Sequence, residues 1–221
     1  MADEGPCEAR APDFDRLAGL YRWMEYATFG NRLWRCRCAF LAHLGPCRKV
    51  LVLGDGDGRF TARMLDANRN IEVDAVDASP AMLGALARRA AGHGSRLQLH
   101  LADARRWQPA SAGYDLAVTH FFLDCLTDAE ISSLAAKVRG CTAPGALWAV
   151  SEFATPQSRF GRLVARPVVA ALYAAFRLLT GLEARALPDH AAALRDSGFA
   201  LKNRRAWLGG LLVSELWRRG G

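Results

Sequence analysis

The stretch Lys49–Gly58 reads KVLVLGDGDG, and it limits what this chain can fold into more than any other part of it. Val50, Leu51, Val52 and Leu53 are apolar without a break. A short run of this kind suits a strand buried on both faces of a parallel sheet. Gly54, Gly56 and Gly58 follow directly. Alternating glycines let the chain turn sharply and leave bare backbone that a ligand can approach closely. Arg59 to Ala67 then reads as a helix. Strand, glycine turn and helix together make the ligand-binding corner of a doubly wound α/β domain.

The spacing narrows the ligand. Dinucleotide sites use G-x-G-x-x-G, whereas Arg59 stands three residues after Gly56. A Walker loop ends in Gly-Lys and Ser or Thr, which is absent. Asp55 and Asp57 would repel a pyrophosphate. The same D-G-D-G lacks the further ligands and closing glutamate of a calcium loop. A ligand with an amino group and a sulfonium suits the two aspartates better.

The rest of the chain alternates strands and helices. Ile71 to Val76 reads as a second strand ending in Asp77, about twenty residues past the glycines, where an acid reaches ribose hydroxyls. Ser79-Pro80 caps a helix through Met82, Leu83 and Leu86 to about Ala91, ended by Gly92 and Gly94. Leu97 to Leu101 is a third strand, followed by Ala102-Asp103-Ala104. Tyr114 to Thr119 is a fourth, followed by His120, Phe121, Phe122, Leu123 and Asp124. Thr127-Asp128 caps a helix from Ala129 to Arg139. Pro144-Gly145 turns the chain into a fifth strand, Ala146 to Val150, ending near Glu152. This alternation predicts a parallel sheet. Pro188 to Ser197 is a further helix, and Phe199 to Trp207 and Leu211 to Trp217 are strands joined by a tight hairpin at Gly209-Gly210.

Two helical regions flank the strands. Residues 1–11 read as a flexible tail and 12–221 as one domain. Within it, residues 12–46 form a helical prefix or lid, with Leu17, Leu20, Tyr21 and Met24 on its first helix. Leu33, Trp34, Phe40, Leu41 and Leu44 face inward on its second, with Arg32, Arg35 and Arg37 outward. Residues 156–187 form a helical cover after strand five. Its apolar stretch Phe160 to Leu182 carries Arg162, Arg166 and Arg177 and is interrupted by Pro167.

The net charge of +7 would suit a nucleic acid, but the arginines are scattered along helix faces without a dense basic tract. Six cysteines are present, with Cys36 and Cys38 in C-x-C. No second pair accompanies them, and helical residues two apart point to different sides, so no metal site is expected and free thiols are. The first residues lack the basic-then-apolar pattern of a signal peptide, and no apolar run is long enough to span a bilayer. A cytoplasmic protein is expected.

V-L-V-L-G-D-G-D-G at 50 to 58, V-D-A-S-P-A-M-L at 76 to 83, A-D-A at 102 to 104 and Y-D-L-A-V-T-H at 114 to 120 resemble, in order and spacing, the class I S-adenosylmethionine-dependent methyltransferases. The resemblance implies a Rossmann-like doubly wound α/β sheet, mostly parallel, with the terminal hairpin supplying a reversed last strand. It implies S-adenosyl-L-methionine as cofactor and S-adenosyl-L-homocysteine as product. Gly54, Asp55, Gly56 and Gly58 would then pass beneath the methionine part and Asp77 would accept both ribose hydroxyls. Ala78 and Met82 would flank adenine, and Asp103 with Ala104 would meet its amino group. His120 would face both cofactor and acceptor. The family often has an acid two residues before the first glycine, where this chain has Val52. Asp55 or Asp57 can substitute.

Methyl transfer asks mainly that a nucleophile be placed behind an activated methyl group, and an acceptor O–H or C–H also needs a base. His120 is the first candidate because its ordinary pKa of about 6.5 suits proton removal. Asp124, Glu152 and His190 follow. Tyr21, Trp23, Tyr26, Phe121, Phe122 and Tyr173 are candidates to line the acceptor site. The apolar cover and T-G-L-x-A-x-x-L-P-D-H at 180 to 190 are similar to the ubiquinone and menaquinone carbon-methyltransferases. That likeness implies a small, apolar or aromatic acceptor, methylated on oxygen or carbon. The basic amphipathic surface admits peripheral contact with an anionic membrane. The alternatives are an RNA or protein methyltransferase and a non-catalytic S-adenosylmethionine-binding regulator. No appended RNA-binding module is visible, and Thr119-His120-Phe121-Phe122 stands where Asn-Pro-Pro-Tyr would mark a base or amide acceptor.

Overall fold

The computed structural model describes residues 31–109, 111–154 and 187–221. The tail, the first prefix helix with Tyr21, Trp23 and Tyr26, and residues 155–186 with Tyr173 lie outside the described residues.

The apolar run does become a central strand. β1 (Lys49–Leu53) pairs in parallel with β2 (Glu72–Asp77) on one side and β4 (Tyr114–His120) on the other. β3 (Leu97–Leu101) extends the sheet beyond β2, and β5 (Thr142–Phe153) lies beyond β4. β7 (Leu212–Arg219) runs antiparallel between β5 and β6 (Phe199–Trp207). The order is β3-β2-β1-β4-β5-β7-β6, the reversed strand being β7. This is the Rossmann-like α/β sheet that the motifs imply.

Period-two alternation divides the core between the two faces. Leu51 and Leu53 of β1 join Val76, Ala117, Trp148, Val150 and Trp217 on one face. Helices α4 (Asp128–Cys141) and α5 (His190–Asp196) cover it with Ile131, Leu134, Val138 and Leu194. Val50 and Val52 join Val73, Ala75, Leu116 and Val118 on the other face. There α2 (Arg59–Ala67) supplies Phe60, Met64 and Leu65, and α3 (Pro80–Arg89) supplies Leu86. Val52 is therefore a packing residue, 1% exposed.

Local chemistry sets the boundaries. Ser79 accepts a hydrogen bond from the Met82 amide with Pro80 behind it. Thr127 and Glu130 form a capping box at the start of α4. The expected turn at Pro144-Gly145 lies inside β5 instead. Gly145 takes a left-handed φ of 79°, and the pairing with β4 shifts register between Tyr114 and Leu116. The hairpin closes through a short 3₁₀ turn, Leu208–Gly210. β6 is the open edge of the sheet, and residues 200–206 on it are exposed.

The second prefix helix departs from expectation. α1 is short (Arg32–Arg37), and a 3₁₀ turn follows over Leu41–Leu44. Arg37 points inward, 8% exposed, with its guanidinium 5.2 Å from the centre of the Phe121 ring. The cation gains the ring face as it loses water. Arg32 and Arg35 are exposed as expected. Cys36 is buried with its thiol donating to the Val213 carbonyl, and Ser151 donates to the Cys36 carbonyl. The helix is thus fastened to β5 and β7.

Gly58 opens α2 at a φ of 76°. A Cβ there would stand 2.6 Å from Leu86 Cβ and 2.7 Å from its Cα, so the first turn of α2 meets the backbone of α3. Gly58→Ala should destabilise the protein by about 2–4 kcal/mol from overpacking and left-handed strain. Urea unfolding measures it, and unchanged stability would contradict this account.

Candidate active site

The sheet ends on its carboxyl edge in four features: the glycine turn after β1, Asp77 at the end of β2, the Asp103 turn after β3 and the loop after β4. Gly54, Gly56 and Gly58 all take left-handed φ values of 67°, 59° and 76°. The Gly54 amide donates to the Val76 carbonyl, which ties the turn to β2. A Cβ on Gly54 would come within 2.4 Å of the Phe122 ring, so that ring lies on the turn. A Cβ on Gly56 would meet nothing within 4 Å, so the backbone there is open.

The two aspartates of the turn differ. Asp57 is paired with Arg59 at 3.0 Å and with Arg89 of α3 at 2.9 Å. Asp55 is buried, and its Oδ2 accepts from the Thr61 amide at 2.9 Å, in the first turn of α2. Its Oδ1 is buried with no hydrogen-bond partner. Burial pushes the Asp55 carboxyl above the usual range, against the contacts with Thr61 and the charge of Arg37. An open backbone at Gly56 beside a buried, unsatisfied oxygen fits an amino-acid group bearing a cation.

Asp77, at the end of β2, accepts from the Ser79 amide at 2.9 Å, just before the first turn of α3. Met82 is buried there and Ala78 is exposed. Asp103 is not a free loop acid. Arg105 grips both of its oxygens, with Nη2 to Oδ2 at 2.7 Å, and reaches Glu130 of α4 at 2.9 Å. Burial would raise the Asp103 carboxyl, but the bonds and charge of Arg105 hold it below the usual range. Any bond to an adenine amino group shares an oxygen already held by Arg105. Ala104 is buried beside it.

His120 is placed otherwise than expected. It is the last residue of β4, 3% exposed, and faces α2 with its ring 4.4 Å from that of Phe60. Neither ring nitrogen has a hydrogen-bond partner. Burial, with help from the Arg37 charge, pushes the imidazole down to about 3. A group so weakly basic does not remove a proton near neutrality, which corrects the reading of His120 as a base. His190 is also committed elsewhere, 3.0 Å from Glu215. Burial would raise Glu215, but His190, Arg204 and the Trp217 indole hold it low.

The loop after β4 hangs on Glu152. That side chain, at the end of β5 and 1% exposed, accepts from the amides of Phe122 at 3.2 Å, Leu123 at 2.9 Å and Asp124 at 3.4 Å. Its carboxyl is committed to these amides, so Glu152 positions the loop and does not meet an acceptor. Burial and the neighbouring Asp124 charge push it well above its usual range, while the amides oppose them. Asp124 is buried too, 8% exposed. Phe121 takes a φ of 55°, strained for an aromatic residue. Its ring packs in the cluster of Leu33, Cys36, Leu211 and Leu212. Phe122 is left over the glycine turn. Arg37, Arg105 and the clasp of Glu152 are the parts that spacing does not reveal.

Residues 50–145 match the family model described as methyltransferase domain. A sequence search of curated proteins gives no significant match. Among solved structures, the chain is similar to the S-adenosylmethionine-dependent methyltransferase SibL at 22% identity and a TM-score of 0.67, covering 98% of this chain and 64% of that one. It is similar to the mitomycin 7-O-methyltransferase MmcR at 16% identity and a TM-score of 0.70, covering 94% and 60%. An O-methyltransferase family protein from Burkholderia thailandensis shows 17% identity and a TM-score of 0.64, covering 92% and 70%. The chain thus spans about three-fifths of the length of the first two. The family model covers less than half of the chain, and the solved structures share its fold.

The position of His120 has a measurable consequence. Its proton affinity falls from an ordinary 6.5 in the unfolded chain to about 3 in the fold. Its contribution to stability is complete above pH 6.5 and is lost as the pH falls towards 3. His120→Leu keeps the contact with Phe60 and removes the titration. The acid-unfolding midpoint should move to lower pH, followed by far-ultraviolet circular dichroism. An unmoved midpoint would show that His120 is not the buried neutral group described.

Proposed function

We propose that the chain transfers a methyl group from S-adenosylmethionine to a small acceptor with an aromatic or apolar body, at oxygen or acidic carbon. The observation that supports this reading is the buried Asp124, whose amide donates to Glu152 in the loop that carries Phe122 over the glycine turn. Two of the similar solved structures are O-methyltransferases by their titles, which supports oxygen.

Bound S-adenosylmethionine supplies a methyl group already activated by its sulfonium. The open backbone at Gly56 receives the amino-acid end, and Asp77 binds the ribose hydroxyls. Ala78, Met82 and Ala104 flank the base, with Asp103 held for it by Arg105. Asp124 accepts the acceptor's proton, and its burial suits a site closed to water. Phe122 shields the glycine turn and gives a planar apolar surface to an aromatic acceptor. Glu152 acts through the loop by fixing Asp124.

Asp124→Asn should lower turnover by about a hundredfold or more with cofactor affinity unchanged, because the general base is lost. The assay is S-adenosylhomocysteine release over a panel of phenols and acidic-carbon acceptors. Full turnover in the variant would remove Asp124 from the mechanism, and no product with any acceptor would favour the non-catalytic reading. Asp77→Ala should weaken S-adenosylhomocysteine binding by about 1.5–3 kcal/mol for each charge-assisted bond lost. Isothermal titration measures this, and unchanged affinity would overturn the ribose assignment.

A further inference from the structure

We infer that Asp55 takes the α-ammonium of the cofactor through its Oδ1, in place of an acid on β1. The inference rests on the S-adenosylmethionine reading of the same corner. Three observations carry it. Val52 is packed against α2 and cannot supply a carboxylate. Asp57 is committed to Arg59 and Arg89. Asp55 alone of the turn's acids keeps a buried oxygen without a partner, while its other oxygen is fixed by the Thr61 amide. A buried carboxylate oxygen with no donor is costly, and an ammonium offers three donors and the opposite charge. S-adenosylmethionine carries such a group at its amino-acid end, the end that the open backbone at Gly56 can receive.

This arrangement makes cofactor binding proton-linked. Among the described residues, the charged and titratable groups around Asp55 are Arg37 on α1, Cys38 just after it and Asp57 within the turn. Arg37 keeps its charge throughout, and the Cys38 thiol is pushed up by burial to about 11, so neither titrates near neutrality. Burial raises the Asp55 carboxyl, so it holds its proton more firmly than an exposed carboxyl does. An ammonium arriving beside it lowers its pKa, so the proton leaves to solvent as the ligand binds.

The test compares S-adenosylhomocysteine with 5′-methylthioadenosine, which has the same nucleoside and thioether but no amino-acid tail. Isothermal titration of the full chain in buffers of different ionisation enthalpy, from pH 5 to 8, counts the protons. The wild type should release a proton fraction with S-adenosylhomocysteine, larger at lower pH, and none with 5′-methylthioadenosine. Asp55→Asn keeps an acceptor for the Thr61 amide. It should bind S-adenosylhomocysteine about ten- to a hundredfold more weakly, without proton release, and 5′-methylthioadenosine within about twofold of wild type. Equal proton release for the two ligands in the wild type, or equal losses for both in the variant, would overturn the assignment. So would an unchanged S-adenosylhomocysteine affinity. If neither ligand binds the wild type, the cofactor reading itself fails.

Discussion

β1 is hydrogen-bonded along both edges and covered on both faces, so the chain can leave it only at its end. That constraint shapes the whole carboxyl edge. The exit cannot use ordinary turn residues, because Phe122 closes against it from one side and Leu86 from another. Left-handed glycines satisfy both contacts. The turn then delivers Asp55 to the first turn of α2, where the free amides and the helix dipole favour a carboxylate. The corner is therefore a packing solution first, and its chemistry follows from which backbone atoms the packing leaves bare.

The carboxyl edge depends also on a second exit, the one from β4. The loop after β4 has no regular partner strand for Phe122, Leu123 and Asp124, and Glu152 supplies the missing acceptors from β5. One side chain satisfies three amides and brings a second buried carboxyl, Asp124, within its field. Burial and the Asp124 charge together push the Glu152 carboxyl up where water is excluded. The same side chain thus fixes the loop and draws a second buried carboxyl close to itself.

The strands, their order and the glycine corner were legible because they rest on local pattern: apolar runs, period-two alternation, caps and turn residues. What escaped sequence reasoning depends on side chains meeting across long separations. Arg37 reads as an outward residue on a basic helix face, and only Phe121 and the buried corner explain its inward turn. Asp103 reads as an open loop acid, whereas Arg105, two residues on, folds back onto it. His120 was misplaced by a single residue of strand length. As the first residue of a loop it could face a ligand, but as the last residue of β4 its alternation puts it under α2.

The open edge strand has a consequence for the protein at high concentration. Among the described residues β6 pairs only with β7, and such an edge is the usual template for growth of a sheet into a second molecule. Lys202, Arg204 and Arg205 stand on that edge, all exposed. Two copies meeting edge to edge would bring these cations together. The positive charge that first suggests a polyanionic partner works here as a repulsive fence that keeps the sheet finite.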